Sequence, residues 1–195
     1  MINQLIDDFT GSIKAKEIKK IIGDLRSHYP GLVFSNPYNR ELQKYLVSVN
    51  PDELFQPEPV KDHNCAQAVI SGLLIWNDCE DEAHKLAQNT PTAEGSYFHA
   101  IIHRREPDIW NSNYWFRKTG EHPVFSLVYD YVTQYEPDNI KKELLTTNGW
   151  NPESFNQLVE KAQNSGNAAD SDLVNIQHAE LLFLIAHSYR HTIGS

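Results

Sequence analysis

The chain has 195 residues, enough for one sizeable core, and its 40% apolar and 11% aromatic content fits a folded globular protein. A formal charge of −9 excludes sequence-independent nucleic-acid binding, which needs an excess of lysine and arginine. No apolar run is long enough for a membrane span and no signal pattern opens the chain, so a soluble, cytoplasmic protein is expected.

The two cysteines, Cys65 and Cys79, fit neither a disulfide framework nor a zinc-ribbon or Cys-x-x-Cys spacing, and read as small buried side chains.

Taken in order, residues 13–28 place Ile13, Ile18, Ile21, Ile22 and Leu25 near helical spacing, with Ser12 as an N-cap and Pro30-Gly31 as the stop. A second helix is expected after Asn36-Pro37, through Leu42, Tyr45, Leu46 and Val49. Residues 51–59, with three prolines and three acids, read as an extended surface connector. The domain expectation is thus a single all-α domain over 1–195, with N-terminal helices in 1–50, a connector at 51–61 and a core over 62–195.

Asp62 offers an N-cap to residues 65–76, a run apolar on every face. A helix of that kind has to be enclosed by neighbours, so it is expected at the centre of the fold. Asn77-Asp78 breaks it, and 80–88 resumes helical spacing with His84 and Gln88 on one face. Thr92 or Ser96 caps the next helix, over 97–104 and ending before Pro107. Asp108 then caps a short helix that stops near Gly120. Residues 124–135 are rich in Val, Phe and Tyr, yet Phe125, Val128, Tyr129 and Val132 share one helical face. Residues 138–145 and 152–163 give two amphipathic helices. A last helix over 173–190 has Glu180 and His187 interrupting its apolar residues. The fold class is all-α, a single compact multi-helix domain with a buried central helix near 65–76.

The stretch 84–123 carries the chemistry. His99 and His103, four residues apart on one helix, put both imidazoles on one side, where two nitrogens could hold one metal ion. His103-Arg104-Arg105 and Arg117-Lys118 stand out against the acidic background as an anion-attracting patch. The alternative is that these arginines bridge to Glu106, Asp108, Glu121 or other carboxylates. No phosphate-binding glycine loop and no G-x-S-x-G elbow is present.

The run His99-Ala100-Ile101-Ile102-His103-Arg104-Arg105-Glu106-Pro107-Asp108, with Asn111, Tyr114-Trp115-Phe116-Arg117, Gly120 and His122-Pro123, resembles a family of uncharacterised bacterial and fungal proteins. Their pattern is W-H-x-[IM]-M-H-R-R-E-x-D followed by N-x-K-Y-W-F-x-x-x-G-x-H-P. The likeness is strongest over 64–123 and departs at Phe98, where the pattern has Trp, and at Asn113, where it has Lys. The resemblance implies a shared site and supplies no reaction.

Three functions follow from these residues. The first is an enzyme acting on a small anionic molecule, a carboxylate or phosphate. His99 and His103 act as acid or base, Glu106 and Asp108 orient the histidines or the arginines, and Arg104, Arg105, Asn111, Trp115, Arg117 and His122 form the substrate-binding wall. The second is a metal site for a divalent ion such as Zn on His99 and His103, completed by His84, His122 or Glu180. Against it stand the missing Glu of H-E-x-x-H and the double arginine. His187 and His191 repeat the spacing, a reminder that nine histidines produce such pairs by chance. The third is a non-catalytic ligand-binding or interaction module in which the cluster is a hydrogen-bonded core and His178 and His187 are satisfied core residues.

Overall fold

The structure is a computed structural model, and it describes residues 1–146, 149–167 and 169–195. The expected fold class is what it has. Twelve helices are described: α1 (Ile2–Ser12), α2 (Lys16–Leu25), α3 (Arg40–Ser48), α4 (Pro51–Leu54), α5 (His63–Trp76), α6 (Glu80–Gln88), α7 (Ala93–Arg105), α8 (Ile109–Thr119), α9 (Val124–Tyr135), α10 (Asp138–Leu144), α11 (Pro152–Asn164) and α12 (Ser171–Ile193). Two short strands, β1 (Leu145–Thr146) and β2 (Gly149–Trp150), pair antiparallel with Leu145 opposite Trp150. No described helix is long and apolar enough to cross a membrane.

The centre of the fold is α5. From Cys65 to Trp76 every residue except Gln67 is buried, because α12, α6, α7 and α3 cover its faces. Its start is set as expected by Asp62, whose carboxylate accepts the backbone N–H groups of Asn64 and Cys65 at 2.8 and 3.0 Å. Close packing depends on Gly72, where an added Cβ would lie 2.5 Å from Cγ1 of Ile185 on α12 and 2.7 Å from Cε1 of Phe98 on α7. Apolar residues from Ile2 to Tyr189 join one core cluster around this helix.

Several local expectations are corrected. Ser12 does not start a helix. It ends α1, a helix that carries Ile2, Ile6 and Phe9 into the core without any side-chain cap to announce it. The cap of α3 is Asn39, which accepts from Glu41 and Leu42, and not the Asn36-Pro37 pair. The proline-rich connector contains a helical turn, α4, because Asn50 caps it and Pro51 occupies its first position. Leu54 and Phe55 at its end are fully buried, so the segment belongs to the core. The helix 124–135 forms as expected, whereas the β1–β2 pair was not foreseen.

Candidate metal centre

The site grows from a hairpin of helices. Thr92 caps α7 by accepting from the Gly95 N–H at 3.1 Å, and the chain between α6 and α7 is tight enough that a Cβ on Gly95 would meet the Thr90 carbonyl at 2.1 Å. This turn lays α6 along α7 and brings His84 over the face that carries His99 and His103. After Pro107 the chain reverses again, Asp108 caps α8, and α8 returns along α7 to place Trp115 beside His99.

Nε2 of His84 and Nε2 of His99 are 3.0 Å apart, and one ring nitrogen from each of His84, His99 and His103 lies within 4.8 Å of the other two. The rings of His99 and His103 stack at 4.7 Å with an interplanar angle of 19°, and the His99 ring stacks on Trp115 at 3.9 Å. Nδ1 of His103 is 2.8 Å from Oε2 of Glu106. A carboxylate can only accept, so Nδ1–H of His103 donates to it, and in the neutral ring Nε2 is then the nitrogen with a lone pair. Burial, and then the neighbouring His103, His84 and Lys118, push the His99 imidazole down to about 3, so its ring is neutral at pH 7. Nδ1 of His99 is buried with no hydrogen-bond partner. His99 and His103 are buried, and the trio meets solvent along half-buried His84, Glu106 and Trp115.

Three imidazole nitrogens, one of them turned by a carboxylate, make an arrangement that could hold a divalent ion. The spacing objection from H-E-x-x-H loses force here, because the third nitrogen comes from α6 and the carboxylate from the end of α7.

The double arginine does not face this site. Arg104 is fully buried and its guanidinium pairs with Glu180 of α12, with Nε donating to Oε1 of Gln177 at 3.2 Å and Nη1 to Oδ1 of Asn156 at 3.4 Å. Arg105 pairs with Asp78 and donates to the carbonyls of Gly31, Val33 and Ile75. Asp78 sits in the left-handed region, φ 59°, at the break between α5 and α6, and also receives hydrogen bonds from Ser35 and His28. The two arginines are therefore internal bridges, and the expected anion clamp is corrected: their donors are consumed by the chain's own oxygens. Glu180, offered as a metal ligand, is held by Arg104 and by Tyr97 Oη at 2.9 Å.

The remaining candidates separate. Asp108 caps α8 and bonds to the Asn111 side chain at 2.5 Å, so these two serve the helix start and not the histidines. Arg117 is exposed and pairs with Glu153 at 3.0 Å. Lys118 Nζ lies 4.7 Å from the Trp115 ring centre and 5.2 Å from that of Tyr114, and its charge acts on His99.

His122 lies in a different cluster. Its Nδ1 accepts from the Val124 N–H at 3.2 Å, and it groups with Glu94 and His187. It also borders a cleft of about 550 Å³ with Phe125, Tyr129 and Trp150. Glu94 was not singled out from the sequence; Cys65 reads there only as a small buried side chain, and the His187/His191 spacing as chance. Comparison with known proteins finds no matching family model, no matching curated protein and no matching solved structure.

Proposed function

We propose that this chain is a metal-binding protein that holds a divalent transition ion, zinc by donor type, on His84, His99 and His103. The observation that carries the reading is the convergence of three imidazole nitrogens within 4.8 Å, with His103 oriented by Glu106. Purely nitrogen donors suit zinc and its neighbours better than magnesium or calcium, which prefer oxygen. Three protein ligands leave a fourth position, and the half-buried edge at His84 lets solvent reach it. An ion with an open position supplies Lewis-acid polarisation and an activated water near neutral pH.

The chain's own residues do the rest. Glu106 fixes the His103 tautomer, Trp115 covers the His99 ring, and burial keeps His99 unprotonated and ready to bind. A second reading, an enzyme acting on a small carboxylate or phosphate, draws on Lys118, which gives the rim of this site a positive charge.

The test is the metal content of untagged protein purified without added metal, with His103→Ala and Glu106→Gln in parallel. About one equivalent at this site is expected in the parent, none in His103→Ala, and an affinity lower by about 10- to 100-fold in Glu106→Gln. Metal content unchanged in His103→Ala overturns the assignment. The anionic-substrate reading requires the metal-loaded protein to bind inorganic phosphate or acetate and to lose that binding in Lys118→Ala.

A further inference from the structure

A second cluster of ligating groups lies at the opposite end of α7 from His103, where Glu94 in the first turn meets α5 and α12. Oε1 of Glu94 is 3.4 Å from Nε2 of His187 and 3.6 Å from Nδ1 of His191. One ligating atom each from Cys65, Glu94 and His191 falls within 4.8 Å of the others, and the same holds for Glu94, His122 and His187.

Packing does not call for this arrangement. Glu94 is 8% exposed, and among the described residues the charged groups paired with it are imidazoles, with no lysine or arginine. Arg104 and Arg105 pair with Glu180 and Asp78, whereas among the described residues Glu94 has only imidazoles within ion-pair distance.

His122 adds an independent sign. Because its Nδ1 accepts a backbone N–H, its Nε2 carries the hydrogen, and that atom is buried without an acceptor. It is a donor in want of an oxygen, and so a neighbour of an ion's shell and not a member of it.

We propose that Cys65, Glu94, His187 and His191 form a second metal site for a thiolate-accepting divalent ion such as zinc, distinct from the three-histidine centre. In a tetrahedral zinc site, bond lengths of about 2.0–2.3 Å keep ligand atoms roughly 3.3–3.7 Å apart. The two Glu94 to imidazole distances, 3.4 and 3.6 Å, already lie in that range. The Cys65 sulfur lies within 4.8 Å of the Glu94 and His191 donor atoms and closes onto the ion as its thiol proton passes to solvent. His191, half exposed, is the entry side. The ion would join α5, α7 and α12. His122 Nε2–H would donate to the carboxylate or to a water on the ion.

Co²⁺ titration of the reduced, untagged full chain after chelator treatment tests this, because only this site has a sulfur donor. A thiolate-to-cobalt charge-transfer band in the near ultraviolet is expected, reaching its limit at about one equivalent for this site. The band disappears in Cys65→Ser and His191→Ala, and persists in Cys79→Ser and in His99→Ala. His191→Ala removes a half-exposed ring, so folding does not depend on it, and circular dichroism verifies that. No band in the folded parent, or a band that survives Cys65→Ser, overturns the proposal. Loss of metal in His103→Ala with the band retained separates the fate of the first centre from that of the second.

Discussion

Replacing Arg104 by methionine separates a structural arginine from a ligand-binding one. Its guanidinium is wholly inside the protein, paired with Glu180, bonded to Gln177 and Asn156, and 4.7 Å over the Phe155 ring. Methionine fills much of the volume but leaves the Glu180 carboxylate at zero exposure with Tyr97 O–H as its remaining hydrogen-bond donor among the described residues. Removing one partner of a buried ion pair costs about 3–5 kcal/mol, mostly the stranding of the other charge. For a chain of this length, a loss near 4 kcal/mol lowers Tm by roughly 8–16 °C. Arg104→Met and Glu180→Gln should each show it in urea unfolding, and the double variant should recover most of it, since two neutral side chains strand nothing. A stable Arg104→Met protein, within about 1 kcal/mol of the parent, would refute the bridge and return Arg104 to the list of anion-binding candidates.

Other outcomes follow from the same geometry. Gly95→Ala should destabilise more than Gly72→Ala: the first drives a Cβ into the Thr90 carbonyl, which cannot swing aside, and the second into the side chains of Ile185 and Phe98, with a cost of about 1–3 kcal/mol by urea unfolding. Equal and negligible effects would mean that neither glycine sets its helix spacing. At Asp78, burial raises the carboxyl pKa, but hydrogen bonds from His28, Arg105 and Ser35 and the Arg105 charge outweigh it, so the folded value lies below 3.8. The resulting stability is complete above that unfolded value and is lost as pH falls through the folded one. The gap in Tm between parent and Asp78→Asn should therefore narrow below about pH 4, and a constant gap down to pH 2 speaks against it. Glu136 has the opposite sign: burial, then Asp172 and Asp170, raise it to about 7, so the folded protein keeps a proton that the unfolded chain releases above its ordinary value of 4.5. Stability falls between those two values, and Glu136→Gln should gain up to about 3 kcal/mol at pH 8 with little change at pH 4; no gain at pH 8 contradicts the burial of that carboxyl.

How much of this was legible beforehand can be followed residue by residue. The central helix was, because a run apolar on every face between Asp62 and Asn77 has one stable location. The caps Asp62, Thr92 and Asp108 were legible for a local reason: a side-chain oxygen two or three residues before an N–H acts within its own turn. Helix α1 was not, since Met1 offers no cap, and the α4 turn hid behind its prolines. The pair His99 and His103 could be placed on one face from spacing alone.

The sequence by itself thus determined an all-helical chain, a buried middle helix, and two imidazoles aligned on α7. Only the tertiary structure decided what those side chains meet. It turned Arg104 and Arg105 inward to Glu180 and Asp78, laid His84 of α6 against His99, and drew Cys65, Glu94 and His191 together from three helices. The reason is one of range. Helical periodicity and capping act over a few residues, whereas the partner of a buried charge is chosen by which helices pack side by side, and no local pattern records that choice.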